Sequence, residues 1–287
     1  MARIRKIKTM YKSSPVIEGA GVHLKRVFGH HQVPQLDPFL LMDDFHSDEP
    51  DKYEKGFPWH PHRGIETISY SLEGEVEHGD SMGNKGIISS GDVQWMTAGN
   101  GIVHQEMPKG DSKNRLWGFQ LWANLPAAHK MMDPRYQEIK AERIPQVELD
   151  NGALIKIICG EINDVEGPVT DIVIEPQYLD ITVPERTIFT LDTPLGHTVF
   201  AYVIDGSARF NPDSSNITGP ESLVLYDDGD STGIITDDQP VRFLLISGNP
   251  INEPVAWQGP IVMNTGEELA AAVPDYQHGP FLQPPRS

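Results

Sequence analysis

The chain has 287 residues, enough for one large domain or two ordinary ones, and it carries 23 Lys and Arg against 41 Asp and Glu, a formal net charge of −18 at pH 7. Such an acidic surface disfavours binding to nucleic acid and to anionic lipid. The single cysteine, Cys159, excludes a disulfide framework within the chain and favours the cytoplasm, and the sequence lacks the run of about 18 apolar residues that predicts a membrane span.

Short apolar segments separated by glycine and proline predict an all-β fold, because Gly and Pro favour turns and interrupt helices. Strands are predicted in the first half at 3–9, 22–28, 39–42, 67–72, 75–78, 93–97, 102–106 and 116–125. The last of these lacks strict alternation, which predicts burial on both faces.

A change of pattern predicts a domain boundary in the middle of the chain. Residues 127–132 are typical of a short helix or turn, and the charged segment 137–143 is typical of a linker. We therefore expect an N-terminal domain at 1–136 and a C-terminal domain at 137–287. Strands of the second half are predicted at 153–159, 178–183, 187–191, 197–204, 207–210, 222–226, 233–236 and 241–246.

The tail contains the strongest helix signal of the chain. Thr265 and Glu268 have the spacing of a capping box, and Leu269 to Val273 follow with helix-forming residues. Pro274 is expected to end or kink this helix.

Two pairs of side chains in the first half have the spacing of a metal site. His60 and His62 share one face of an extended strand, as do His104 and Glu106. Two adjacent strands can aim three imidazoles and one carboxylate at one ion, and Fe(II), Mn, Co, Ni, Cu and Zn all accept such ligands. Pro61 cannot donate a ladder hydrogen bond, so it favours an edge strand.

The carboxylate ligand is ambiguous from spacing alone. Glu66 follows the histidine pair as His60-x-His62-x3-Glu66, and Glu106 offers a competing carboxylate. The two need not both bind a metal. If Glu106 binds, we expect Glu66 to lie behind the ligands or to form a salt bridge with Arg63 or Arg115.

The segments HPHRGIET at 60–67 and GDVQWMTAGNGIVHQEMP at 91–108 closely resemble the pirin family and its quercetin dioxygenases, as do 248–254 and 259–265. The resemblance implies a bicupin: two jelly-roll β-barrels joined face to face. It implies His60, His62, His104 and Glu106 as ligands, which favours Glu106 over Glu66, and Fe(II) as the usual metal. The second half lacks a matching His-x-His, so one site per chain is expected.

The resemblance implies two main functions. The first is a metal-dependent 2,3-dioxygenase that opens the central ring of a flavonol such as quercetin with O2, with Glu106 or a displaced Glu66 as general base. Candidate pocket walls, with ordinary packing as the alternative, are Phe45, Phe57, Trp59 and Met107. The second is an iron-dependent, redox-sensing binding protein like nuclear pirin, a transcription cofactor.

A third reading is a cupin enzyme that acts on another small metabolite. For the enzyme readings we expect a small aromatic substrate and O2 as partners, no direct contact with nucleic acid or membrane, and a monomer in the cytoplasm.

Overall fold

The computed structural model describes residues 3–32, 36–278 and 281, and within these ranges strands predominate. One α-helix, α1 (Gly266–His278), and four short 3₁₀ turns accompany them. The predicted all-β fold with a short C-terminal helix is confirmed. In chain order the strands are β1 (Ile7–Lys12), β2 (Ser14–Glu18), β3 (Val22–Phe28), β4 (Phe39–Ser47), β5 (Phe57–His62), β6 (Ile65–Glu73), β7 (Glu75–Asp80), β8 (Lys85–Ile88), β9 (Val93–Thr97), β10 (Ile102–Lys109), β11 (Leu116–Asn124), β12 (Arg135–Ile139), β13 (Gln146–Glu148), β14 (Leu154–Cys159), β15 (Glu161–Ile162), β16 (Val165–Glu166), β17 (Gln177–Val183), β18 (Ile188–Asp192), β19 (Thr198–Gly206), β20 (Ser222–Tyr226), β21 (Ser231–Ile235), β22 (Val241–Gly248), β23 (Ala256–Gln258) and β24 (Ile261–Met263).

Most predicted strands are present, and the differences have local causes. The predictions at 22–28, 93–97 and 222–226 match β3, β9 and β20 residue for residue. Residues 207–210 carry only isolated bridges, and the first strand lies at Ile7–Lys12 instead of 3–9. The segment 137–143 is not a free linker, because its first residues belong to β12, which pairs with β9.

Two compact units divide the chain, and neither is one continuous segment. The N-terminal unit comprises Ser14–Gln35, Phe39–Ala141 and Ile251–Ser287, and the C-terminal unit comprises Met1–Ser13, Leu36–Pro38 and Glu142–Pro250. The change of unit after Ala141 lies near the predicted boundary at 136/137, but the terminal segments are exchanged. Backbone pairing of β1 with β20 places the start of the chain in the C-terminal unit.

The C-terminal unit is built on a seven-stranded antiparallel sheet in the order β1-β20-β19-β22-β17-β14-β13, with small sheets β18-β21 and β15-β16. Its core consists of buried aliphatic and aromatic side chains from these strands. Cys159 is 4 % exposed and its Sγ donates to the Val169 carbonyl at 3.4 Å. Its interpretation as a small buried hydrophobic residue is confirmed.

The N-terminal unit contains a seven-stranded sheet, β12-β9-β6-β11-β4-β3-β2, and a four-stranded sheet, β5-β10-β7-β8. In β11, Phe119 and Leu121 are fully buried on one face, whereas Gln120 and Trp122 are half-buried on the other. The predicted burial of this strand on both faces is therefore wrong. The second face lines a cleft, so its side chains keep access to solvent.

Pairing within the four-stranded sheet sets the positions of the histidines. Strand β5 is at the edge of this sheet, as Pro61 predicts. Its antiparallel register with β10 puts His60 opposite His104 and His62 opposite Ile102. The register shifts between His104 and Glu106, where a β-bulge lengthens one strand.

A tight turn at Gly64 fixes the end of β5. Gly64 has φ +77°, and a Cβ there would overlap the Val262 carbonyl oxygen. Lys130 closes the same turn, because its Nζ donates to the carbonyl oxygens of Gly64 at 2.9 Å and Val262 at 3.1 Å and to Asn124 Oδ1 at 2.7 Å. Burial lowers the pKa of Lys130 to about 8.

The tail packs within the N-terminal unit. Arg63 is buried, its Nη1 donates to Asp275 Oδ2 of α1 at 2.8 Å, and its guanidinium lies 4.3 Å from the Phe281 ring centre. The predicted capping box is confirmed, since Glu268 N donates to Thr265 Oγ1 and Thr265 N donates to Glu268 Oε2. The helix continues past Pro274 to His278, so Pro274 does not end the helix.

In the ranges described, no helix combines the length and the apolar character needed to cross a membrane.

Gly64→Ala should destabilise the protein by about 3 kcal/mol or more, since a left-handed φ is combined with steric overlap. Gly196→Ala is the matched control: φ is +81° and nothing lies within 4 Å of the added Cβ. We expect it to cost only about 1 kcal/mol. Urea unfolding of both variants measures the difference, and equal losses would refute a steric role for the Gly64 turn.

Lys130→Met should change how stability depends on pH. The folded pKa of Lys130, about 8, lies below its ordinary value of 10.5, so the unfolded chain binds more protons between these limits. Raising the pH through this window should stabilise the wild type relative to the variant by on the order of 3 kcal/mol. Parallel curves of unfolding free energy against pH would contradict this.

Candidate metal centre

Three imidazoles converge in the N-terminal unit. The ligand nitrogens of His60, His62 and His104 all lie within 4.8 Å of one another. Nε2 of His60 is 3.1 Å from Nε2 of His62, and the ring centre of His104 lies 4.4 Å and 5.0 Å from those of His60 and His62. The predicted histidines are therefore brought together, with His62 and His104 buried and His60 half-buried.

Backbone carbonyls define which nitrogens carry hydrogen. Nδ1 of His60 lies 3.0 Å from the Pro58 carbonyl oxygen, and Nδ1 of His62 lies 3.3 Å from that of Pro260. A carbonyl only accepts, so both Nδ1 atoms must donate, and in the neutral rings both Nε2 atoms present lone pairs. Two lone pairs 3.1 Å apart repel each other unless a cation lies between them.

The electrostatics of the cluster keep its buried rings neutral. Burial lowers the pKa of His62 well below its ordinary value, and the neighbouring His104 and His60 lower it further. Burial likewise lowers the pKa of His104, followed by the effects of His60 and His78. Neutral imidazole is the form that binds metals.

His104 supplies a second sign of a metal site. Both of its ring nitrogens are buried, and neither has a hydrogen-bond partner among the described residues. A buried polar atom without a partner is costly, and a metal ion would relieve that cost at one of the two nitrogens. The donor set fits a divalent transition metal, so the cluster can hold such an ion.

Glu106 lies two residues after His104 on β10 and is buried. Ser69 Oγ donates to its Oε1 at 3.2 Å, and Gln120 Nε2 lies 3.2 Å from Oε1 and 3.1 Å from Oε2. Glu106 is not part of the group whose ligand atoms all lie within 4.8 Å of each other. Its assignment as the fourth ligand stays a prediction.

Glu66 faces away from the site. On β6, Ser69 faces the site and contacts Glu106. Glu66 lies three residues before Ser69 on the same strand, so alternation puts its side chain on the opposite face of the sheet. Thr97 Oγ1 donates to Glu66 Oε1 at 2.6 Å, and burial raises the pKa of the carboxyl.

The expected salt bridges from Glu66 to Arg63 or Arg115 are wrong, because both guanidiniums pair with other carboxylates. Arg63 pairs with Asp275, and Arg115 pairs with Asp111 and Glu73.

A cleft of about 640 Å³ opens onto the cluster, with His60, His62 and Glu106 in its lining. Trp122 stands perpendicular to His62 at 5.1 Å, Trp257 lies 6.1 Å from Trp122, and His30 lies 5.2 Å from Trp257. This row of rings, which we call the aromatic wall (His62, Trp122, Trp257 and His30), gives the cleft an aromatic side.

The four candidate wall residues lie in two different places. Phe57 lines the cleft, and Phe45 packs edge-to-face against it at 5.8 Å in an adjoining apolar cavity. Trp59 and Met107 line a surface pocket with Gln105 instead, and Trp59 is 52 % exposed. Alternation accounts for Trp59 and Met107, which are adjacent to His60 and Glu106 and point to the other side. The register shift between Phe57 and His60 interrupts the alternation and lets Phe57 line the cleft.

Sequence reasoning missed Gln120, Trp122 and Trp257. Gln120 had a detectable signal, because it is a polar residue in the middle of the apolar strand β11. Trp257 lies in the C-terminal segment, and no local sequence pattern around it predicts that its ring lines the cleft.

Comparison with known proteins gives consistent results over nearly the whole chain. The family model described as Pirin matches residues 21–123, and that of the Pirin C-terminal cupin domain matches 178–282. A pirin-like protein of Caulobacter vibrioides is 41% identical over 283 residues, covering 97% of this chain and 99% of that protein. Pirin of Homo sapiens is 39% identical over 282 residues, covering 97% and 94%.

A solved structure, that of a quercetin 2,3-dioxygenase from Acinetobacter baumannii, is 33% identical with a TM-score of 0.88, covering 97% of this chain and 98% of that one. This likeness and the cupin-domain match assign the bicupin fold that the sequence motifs imply. The chain therefore belongs to the pirin family.

Proposed function

We propose that this protein is a metal-dependent dioxygenase that opens the central ring of a flavonol such as quercetin with O2. The observation that carries the proposal is the convergence of His60, His62 and His104 at a cleft large enough for a small aromatic molecule. Sites for small molecules occupy about 300–1,000 Å³, and this cleft lies in that range. The 33% identical structure named as a quercetin 2,3-dioxygenase supports the same reaction.

The charges of the cleft favour a substrate without strong acidic groups. Arg26 lies in the lining, but Asp43 and Glu18 hold its guanidinium through hydrogen bonds of 2.9 Å. Apart from a bound metal, the described lining therefore offers a carboxylate or phosphate no free lysine or arginine side chain. The aromatic wall offers stacking surface to a planar polyphenol instead.

We assign the metal to His60, His62, His104 and Glu106, with Fe(II) as the expected ion and Mn, Co, Ni, Cu or Zn as alternatives. Bound Fe(II) would supply redox exchange with O2 and would lower the pKa of a substrate hydroxyl. The three imidazoles would hold the ion through nitrogens that carry no hydrogen. The Pro58 and Pro260 carbonyls orient two of these rings.

Glu106 is also the proposed proton acceptor. Its Oε1 accepts hydrogen bonds from Ser69 and Gln120, whereas within the described residues Oε2 accepts only from Gln120. Oε2 therefore keeps one lone pair, which can bind the ion or take the proton of a flavonol hydroxyl, but not both at once.

The alternative is an iron-dependent binding protein, and the 39% identity to human pirin over 97% of this chain favours keeping it. A protein of that kind would bind metal without turning over a flavonol. For the enzyme we retain the predictions of a cytoplasmic monomer and of no direct contact with nucleic acid.

His62→Ala should abolish stoichiometric metal binding and reduce quercetin-dependent O2 uptake more than about 100-fold, because one of the proposed metal ligands is lost. His129→Ala is the control, since His129 is exposed on a 3₁₀ turn. Metal analysis and an oxygen electrode make the two measurements. Full activity of His62→Ala would refute the proposal, and metal binding without any turnover in wild type would favour the binding protein.

Glu106→Gln and Glu66→Gln should separate the two competing carboxylates. We expect Glu106→Gln to weaken metal binding about 10-fold or more and Glu66→Gln to leave it unchanged, because Glu66 lies on the other face of the sheet. Titration of the metal-free proteins measures both constants. The opposite ranking would show that Glu66 is the ligand.

A further inference from the structure

Gln120 lies on the cleft face of the seven-stranded sheet. It lies in the middle of β11, a central strand of the seven-stranded sheet, between the buried Phe119 and Leu121. It pairs with Ser69 of β6 on one side and with Asp43 of β4 on the other. Its side chain is half-buried on the face that lines the cleft, so the contacts of the amide there indicate its role.

The amide makes its contacts at both ends. Nε2 approaches both carboxylate oxygens of Glu106, at 3.2 Å and 3.1 Å, while Oε1 accepts from Trp122 Nε1 at 3.1 Å. An indole nitrogen only donates, so the Gln120 oxygen must face Trp122 and its amino group must face Glu106. The orientation of the amide is therefore fixed by its partners.

These contacts connect Glu106 to the histidine cluster by a second route. Trp122 holds Gln120 through its nitrogen, and its ring packs perpendicular to His62 at 5.1 Å. Glu106 and His104 are already linked through the backbone of β10, with only Gln105 between them. The path through Gln120 and Trp122 joins the same carboxylate to His62 on β5.

The hydrogen bonds from Gln120 to Glu106 act as a clamp on the carboxylate. The neutral charge of Gln120 matters as much as the geometry of this clamp. A lysine or arginine in place of Gln120 would neutralise Glu106 and compete with a metal for its oxygens. A neutral amide orients the carboxylate but leaves its negative charge available. The guanidinium of Arg26, in the same cleft lining, is held by Asp43 and Glu18 instead.

We infer that Gln120 is a positioning residue that holds the Glu106 carboxylate at the cleft that His60 and His62 also line, from where it binds the metal, with Trp122 fixing the amide. This inference rests on the proposed ligand role of Glu106. A carboxylate oriented in advance loses less conformational freedom when the ion binds, so the clamp raises metal affinity.

The test is titration of the metal-free protein with Co(II), whose visible absorption bands report the number and arrangement of ligands. Gln120→Met removes the donor at similar side-chain length. We expect about 10- to 100-fold weaker Co(II) binding and a shifted absorption spectrum. Gln105→Met, the same substitution on the outward face of β10 between His104 and Glu106, should bind Co(II) like wild type.

Trp122→Phe provides a second test that does not depend on the folding of Gln120→Met. It keeps a ring beside His62 but removes the hydrogen bond to Gln120 Oε1, so Co(II) binding should weaken about 5-fold. In the double variant the loss should not exceed that of Gln120→Met alone, because the indole then has no amide to orient.

Wild-type affinity and spectrum in Gln120→Met, or unchanged affinity in Trp122→Phe, would overturn the inference. Equal thermal stability of the metal-free Gln120→Met and Gln105→Met proteins separates a loss of positioning from general unfolding. Since no flavonol is present, the result is independent of turnover. A weakened Co(II) site in a protein that does not cleave quercetin would leave this inference standing and reject the proposed reaction.

Discussion

The antiparallel register of β5 with β10 is the constraint on which the site depends. It puts His60 opposite His104 and brings His62 to the same side, so three rings from two strands converge. A slip by one residue would turn every side chain of β5 to the other face. The register is supported at the end of β5, where the Gly64 turn is closed by Lys130 and by the backbone of Val262.

The cluster is costly in the absence of a cation, and this cost indicates its use. Burial keeps His62 and His104 neutral, and backbone carbonyls turn the lone pairs of His60 and His62 toward each other. Nothing in such an arrangement stabilises the fold by itself. A divalent ion would turn the repulsion into coordination, and the buried carboxylate of Glu106 would offset part of its charge.

The parts of the site that could be predicted from sequence are those governed by local periodicity. Alternation along one strand predicted that His60 and His62 share a face, and Pro61 predicted the sheet edge. The same rule cannot be extended to Glu66, because the turn at Gly64 starts a new strand and the alternation begins again there. Only the strand bounds reveal that this residue faces away.

Contacts between distant segments could not be predicted. The Pro260 carbonyl that orients His62 lies 198 residues away in sequence, and Trp257 reaches the cleft from the same tail. The exchange of terminal segments between units likewise depends on pairing of β1 with β20. No local pattern in 3–13 or 251–278 encodes these partners, because register and docking are set by the whole fold.

The most direct test of the metal centre is anomalous X-ray diffraction from crystals of the iron-loaded protein, collected on both sides of the iron absorption edge. We expect one strong anomalous peak per chain at about 2.0–2.2 Å from a nitrogen of each of His60, His62 and His104, and close to a Glu106 oxygen. A loaded protein without a peak at these histidines, or with its peak elsewhere, would contradict it.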